Sequence, residues 1–228
     1  NSSSPVSSPS RVGLTTGRFP TEMGINCYLQ TRKGNTACEQ FDYLDASVPT
    51  MAKVMKSAGY TTGHFGKWHM GGGRDVIDAP QITEYGFDEY ISTWESPNPD
   101  PVITISAWIW SRTDQVKRWD RTAYFVDKTL DFLKRHKGEP CFVNLWPDDM
   151  HTPWVPSQKT MDSERTSWTT PPNFKEVLTE YDKQIGRLME GLTKLGLEKN
   201  TIVIFTSDNG PAPSFQQMRT NSLLGVKC

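Results

Sequence analysis

The stretch SSPSRVGLTTGR, residues 7–18, places hydroxyl, proline and guanidinium groups at helix-start spacing. Ser8 suits an N-cap, Pro9 the first helical position and Gly17 the exit, so residues 9–16 are expected to form a short helix. Ser7 then stands just ahead of the helix N-terminus, where exposed N–H groups and the helix dipole favour an anion. Arg11 lies about one turn further on and can reach back to it. A serine so placed beside an arginine could attack an anionic ester, or could be an ordinary cap.

Other segments carry compatible chemistry. In GKWHMG, Lys67 and His69 are two apart, so in extended chain they point to one side. That gives either a cation and an imidazole on one wall, or a surface lysine next to a packed histidine; Trp68 between them suits a buried anchor. His151, in HTPW, sits in a polar loop, PDDMHTPWVPSQ. The preceding Asp148 and Asp149 could ligate a hard cation or simply form a solvated turn, and the turn is preferred. Asp208 and Asn209, in TSDNG, pair a carboxylate with an amide oxygen, which suits Ca²⁺ or Mg²⁺; an Asn-Gly turn with a capping Asp is the alternative. Lys227, in LLGVKC, is isolated. Cys27, Cys38, Cys141 and Cys228 fit no zinc or CxxC spacing. Cys27 and Cys38 could pair or remain free.

These residues need a scaffold that delivers them to one place. VPTMAKVMKSAGY reads as a helix, with Met51, Val54, Met55 and Ala58 in one stripe and Gly59 as its stop. TTGHFGKWH reads as a short strand entering the glycine-rich loop GGGR. Residues 75–113 show no clear period and read as a long surface excursion. Helical spacing returns from Val116 to Lys137, with Val116, Trp119, Ala123, Val126, Leu130 and Leu133 aligned. CFVNLW reads as a strand buried on both faces. Residues 174–195 form the strongest helical pattern, and TIVIFTSDNG reads as another buried strand. The alternation predicts an α/β fold, a mainly parallel (mixed) sheet sandwiched by helices. In such sheets ligands bind beyond the carboxyl ends of the strands. Lys67/His69, His151 and Asp208/Asn209 all fall there.

The chain has 228 residues, 36% hydrophobic and 22% charged, with formal net charge −1. That gives no electrostatic case for nucleic acid, and no apolar run approaches the roughly 20 residues of a membrane span. NSSSPVSSPS lacks the basic start and apolar core of a signal peptide.

Taken in order, these motifs resemble the type I sulfatases of the alkaline-phosphatase-like superfamily. Residues 7–18 resemble the signature [C/S]-x-P-S-R-x-x-x-x-T-G-R in its serine form. GKWHMG, HTP, TSDNG and GVK resemble the later motifs, and together they cover nearly the whole chain. The resemblance implies that Ser7 is oxidised to formylglycine, whose hydrated aldehyde is the nucleophile, and that Arg11 holds this hydrate. Lys67 and Lys227 would bind sulfate oxygens. His69 would take the proton that lets the sulfated enzyme collapse, and His151 would serve the leaving oxygen. Asp208, Asn209 and the modified Ser7 would hold a divalent ion, usually Ca²⁺. A plain serine would form a sulfate ester with no exit, so unmodified Ser7 implies a dead or single-turnover enzyme.

The resemblance also implies an upstream strand ending in an Asp-Asp pair, and further strands and a smaller subdomain after Lys227. Residues 1–228 are therefore read as part of a sulfatase catalytic domain. The implied substrate is an organic sulfate, with a carbohydrate sulfate favoured; Trp94, Trp108, Trp110 and Trp119 could stack on sugar rings or pack over a loop. The implied partners are that substrate and a formylglycine-generating enzyme, with no nucleic acid and no membrane span, in a periplasmic or secreted setting. The rivals are a phosphonate or phosphodiester hydrolase of the same superfamily, and a non-catalytic module that binds sulfated glycans.

Overall fold

The computed structural model describes residues 2–103 and 111–210. Its first helix, α1 (Ser7–Thr16), is followed by two short ones, α2 (Arg32–Ala37) and α3 (Met51–Ser57). Strand β1 (Thr61–Gly66) leads to β2 (Glu89–Ser92), helix α4 (Arg121–Arg135) and strand β3 (Cys141–Trp146). Two helices close the described order, α5 (Gln158–Asp162) and the long α6 (Pro171–Leu195).

The three strands run parallel in the order β2-β1-β3. Side chains alternate across this sheet with the period of two that the pleat imposes. Tyr90, Phe142 and Trp146 face a core of Val12, Leu44, Trp68, Met70, Tyr85 and Phe87. Ile91, Phe65, Val143 and Leu145 face the other way, against Ile103 and the α4 residues Phe125 and Phe132. Helix α6 lies outside α4 and packs on it. The sheet is therefore covered on both faces, as the α/β alternation predicts. Every strand pair among the described residues is parallel, so no mixed pairing is seen there.

Several local expectations change. The helix begins at Ser7 with Val6 as its extended N-cap, not at Pro9 behind Ser8. The Ser8 hydroxyl is buried and accepts the Leu29 N–H at 2.9 Å, which takes it away from capping. Gly17 closes the helix in the left-handed conformation as expected. The supposed excursion over 75–113 contains β2, too short to show a period yet fully paired with β1. In α3 the packed residue is Ala52, while Met51 and Val54 stay exposed. Helix α4 starts at Arg121, after a 3-10 turn at Arg118–Asp120, rather than at Val116.

The largest departure concerns the last strand. Residues 201–207 adopt no regular structure, and Ile202, Ile204 and Phe205 are 90%, 82% and 73% exposed. The apolar run has strand composition, but no described strand pairs with it. For the same reason β3 is half-buried along its whole length instead of buried on both faces, because among the described residues it has a neighbouring strand on one side only.

Candidate active site

Helix α1 carries Ser7 and Arg11 four residues apart, hence on one face. The Arg11 Nε donates to the Ser7 Oγ at 3.0 Å, and its other nitrogens donate to the Lys67 carbonyl at 3.1 Å and to Asp208 Oδ2 at 2.9 Å. The guanidinium also lies 5.0 Å from the centre of the Trp146 ring. Ser7 Oγ in turn donates to Asp208 Oδ2 at 2.7 Å. Both Ser7 and Arg11 are buried. Burial alone would raise the Asp208 carboxyl, but Arg11, Ser7 and Lys67 hold it well below the ordinary carboxylate range. Arg11 and Asp208 thus meet at the Ser7 hydroxyl, and Arg11 ties this cluster to the end of β1 through the Lys67 carbonyl.

Lys67 and His69 leave the end of β1, the central strand, and both are buried at this edge. Trp68 between them is fully buried in the core beneath α1, as its expected anchoring role requires. Burial pushes the His69 imidazole down to about 3, so the ring is neutral near pH 7. Its Nε2 donates to the Leu29 carbonyl at 3.0 Å. Glu95, which the sequence reading did not single out, sits between Lys67 and His69: its Oε2 is 3.1 Å from the Lys67 ammonium.

His151 comes to the same edge on the loop after β3. Its Nδ1 donates to the Thr152 carbonyl at 2.7 Å, and Arg118 donates to the His151 carbonyl at 3.0 Å. Asp148 and Asp149 prove to be neither a solvated turn nor a cation cluster. Both are buried. Asp148 Oδ2 accepts from Arg118 at 2.9 Å and from Arg121 at 3.0 Å. Asp149 accepts from the backbone N–H and hydroxyl of Thr122 and so satisfies the N-terminus of α4. Those two arginines hold Asp148 below its usual range, while burial raises Asp149. The pair anchors the His151 loop to α4. Arg118 and Arg121 carried no sequence signal for this, since the carboxylates they meet lie about 30 residues further along the chain.

Asn209 is half-buried beside Asp208; its backbone N–H donates to Asp208 Oδ1 at 2.9 Å and its side-chain amide to the Gly210 carbonyl. Lys227, Trp108, Trp110 and Cys228 lie outside the described residues. Trp94 stacks on Arg74, and Trp119 packs on the Val155–Met161–Trp168 cluster. Cys27, Cys38 and Cys141 are free thiols. Among the described residues no group of three or more His, Cys, Asp or Glu side chains could hold a metal. The oxygens of Asp208, Asn209 and Ser7 fit a hard divalent cation in kind, but fall short of the six to eight oxygen ligands Ca²⁺ takes.

A family model described as Sulfatase matches residues 1–222. The chain belongs to the sulfatase family. It is 28% identical over 234 residues to an N-acetylgalactosamine-6-sulfatase of Rattus norvegicus, covering 92% of this chain and 42% of that protein. An N-acetylgalactosamine-6-O-sulfatase of Bacteroides thetaiotaomicron is 26% identical over 290 residues, covering 98% of this chain and 54% of that one. The chain thus spans about half the length of these relatives. In structure it resembles Ps i-CgsB, solved in complex with k-i-k-neocarrahexaose, at a TM-score of 0.72 and 22% identity, over 99% of this sulfatase chain and 52% of the other. At that identity the likeness shows the fold alone.

Proposed function

We propose that this chain is the nucleophile-bearing part of a sulfatase that hydrolyses a carbohydrate sulfate ester to alcohol and inorganic sulfate. The observation that carries the reading is the convergence of Arg11 and Asp208 on the buried Ser7 hydroxyl, with the Lys67 carbonyl held by the same guanidinium. An organic sulfate is a tetrahedral monoanion, and its cleavage needs an in-line nucleophile with cations on the sulfuryl oxygens.

Oxidation of Ser7 to formylglycine, followed by addition of water to its aldehyde, would supply a geminal diol, with one hydroxyl to attack sulfur and a second whose proton can later be removed. A divalent ion held by Asp208, Asn209 and the oxidised Ser7 would supply Lewis-acid neutralisation of the sulfuryl group. The remaining work belongs to the chain itself. Arg11 fixes the residue-7 side chain by a hydrogen bond from one helical turn away. Lys67, and Lys227 from the C-terminal segment, neutralise sulfate oxygens. His69, neutral near pH 7, takes the proton whose loss expels sulfate. His151 protonates the leaving sugar oxygen. Carbohydrate is the preferred substrate class because both N-acetylgalactosamine-6-sulfatases act on a sugar sulfate. Such substrates support a periplasmic or secreted setting. No described helix is long and apolar enough to cross a membrane.

The test is hydrolysis of matched aryl sulfate and aryl phosphonate esters by the full-length protein, followed by sulfated sugars. Preferential sulfate release, abolished in Ser7→Ala, is expected. Preference for the phosphonate would make the protein a phosphonate hydrolase. Tight binding of sulfated glycans without turnover, despite an oxidised Ser7, would make it a binding module.

A further inference from the structure

Glu95 lies in the bend after β2 and is 6% exposed. Its Oε2 is 3.1 Å from Lys67 Nζ, and its Oε1 is 3.1 Å from an Arg74 nitrogen and 3.4 Å from His69 Nε2. Its backbone carbonyl accepts the His69 N–H at 3.0 Å. The two chain segments involved are locked together through glycines. A Cβ at Gly72 would lie 2.3 Å from the Pro97 nitrogen, and one at Gly73 would lie 2.7 Å from the Trp94 carbonyl oxygen. Both glycines have positive φ, at 86° and 76°. Only a backbone without Cβ atoms lets the loop from Lys67 to Arg74 press onto residues 94–97 this closely.

The ring orientation of His69 follows from the chemistry of its neighbours. A neutral imidazole has one N–H. The Leu29 carbonyl and the Glu95 carboxylate both face Nε2, and both are acceptors, so the proton resides on Nε2. Nδ1 is then a bare lone pair. It is buried and has no hydrogen-bond partner among the described residues. An imidazole held in this way is poised to accept a proton at one defined atom. On the same carboxylate, Lys67 is held in place although its long side chain would otherwise sample many rotamers. Burial on its own would raise the Glu95 carboxyl; contact with His69, Lys67 and Arg74 keeps it well below its ordinary range.

We propose that Glu95 is a positioning residue of the sulfatase reaction, fixing the Lys67 ammonium and the Nε2–H tautomer of His69 so that Nδ1 is the proton acceptor. This rests on the sulfatase reading. In it Glu95 acts through Lys67 and His69 and not on the sulfate itself.

The test compares Glu95→Gln and Glu95→Asp in the full-length protein, with oxidation of Ser7 verified in each. Glutamine keeps the shape but can present an N–H to the ring, whereas aspartate keeps the charge. Glu95→Gln is expected to lower kcat about 10–100-fold, the usual effect of losing such a supporting contact, with Glu95→Asp recovering part of it. Imidazole ¹⁵N shifts, assigned with His69→Asn, should report the Nε2–H tautomer in wild type and its partial loss in Glu95→Gln. Unchanged kcat and tautomer in Glu95→Gln would overturn the proposal. So would equal losses in both variants that track a fall in Tm, which is the pattern of a merely structural carboxylate. If oxidised wild type turns over no sulfate ester, the sulfatase reading has failed instead, and the ¹⁵N shifts still decide whether Glu95 sets the tautomer.

Discussion

Two segments that read alike as strands with polar exits behave oppositely. In β1 and the residues after it, Thr62 to Met70 are buried without interruption. Strands on both sides and two aromatic-rich cores hold this segment, and Lys67 and His69 emerge at fixed positions. In residues 201–207, an equally apolar run lies exposed, and Asp208 at its end is tied to the rest of the described fold by contacts to the Ser7 and Arg11 side chains. A strand's burial is a property of its neighbours and not of its own sequence. One half of the site is placed by the sheet, the other by electrostatics.

That contrast can be broken by substitution. Trp68→Ala removes a fully buried side chain beneath α1, and should destabilise by about 3–5 kcal/mol in chemical unfolding; a cost near zero would mean the β1 corner is not the rigid half. Asp208→Asn should cost less stability, about 1–3 kcal/mol, because it leaves Arg11 without its counter-charge. In the full-length enzyme the same change should lower kcat about 100-fold or more. A variant that loses stability and keeps activity would detach Asp208 from the chemistry.

The rigid corner also predicts a pH dependence. His64, edge-on to Trp68 and Trp146, is pushed by burial and by Arg11 down to about 3, and burial takes His69 to about 3 as well. Between roughly pH 6.5 and 3 the unfolded chain binds protons that the folded chain excludes, so stability falls as pH is lowered. Each histidine contributes a slope of up to about 1.4 kcal/mol per pH unit. Guanidinium unfolding between pH 4.5 and 7.5 checks this, and a flat profile would contradict the buried, neutral assignment. The smallest effect belongs to the exposed stretch: Ile204→Ser should change the stability of this chain by no more than about 0.5 kcal/mol.

How much was legible follows the same division. Helical periodicity marked α6, and glycine stops marked the ends of α1 and α3. The four-residue spacing of Ser7 and Arg11, and the two-residue spacing of Lys67 and His69, were visible because each pair's geometry is local. β2 was missed because Glu-Tyr-Ile-Ser is too short to show alternation; only pairing with β1 makes it a strand. The stripe in α3 was misread because the fold happens to cover Ala52 rather than Met51 and Val54. Glu95 left no motif, since its partners lie in another segment and meet it only after folding. Asp148 and Asp149 stayed ambiguous for the same reason, as Arg118 and Arg121 decide their role.

The central claim is that Ser7 is the reacting position, and mass spectrometry of the Ser7-containing peptide, from protein purified from its native source, tests it most directly. A peptide lighter by two hydrogens, as about 2 Da, is expected, because a buried hydroxyl tied to Arg11 and Asp208 serves the chemistry once oxidised to formylglycine. An unmodified serine in protein that still turns over sulfate esters would contradict the account and move the nucleophile elsewhere.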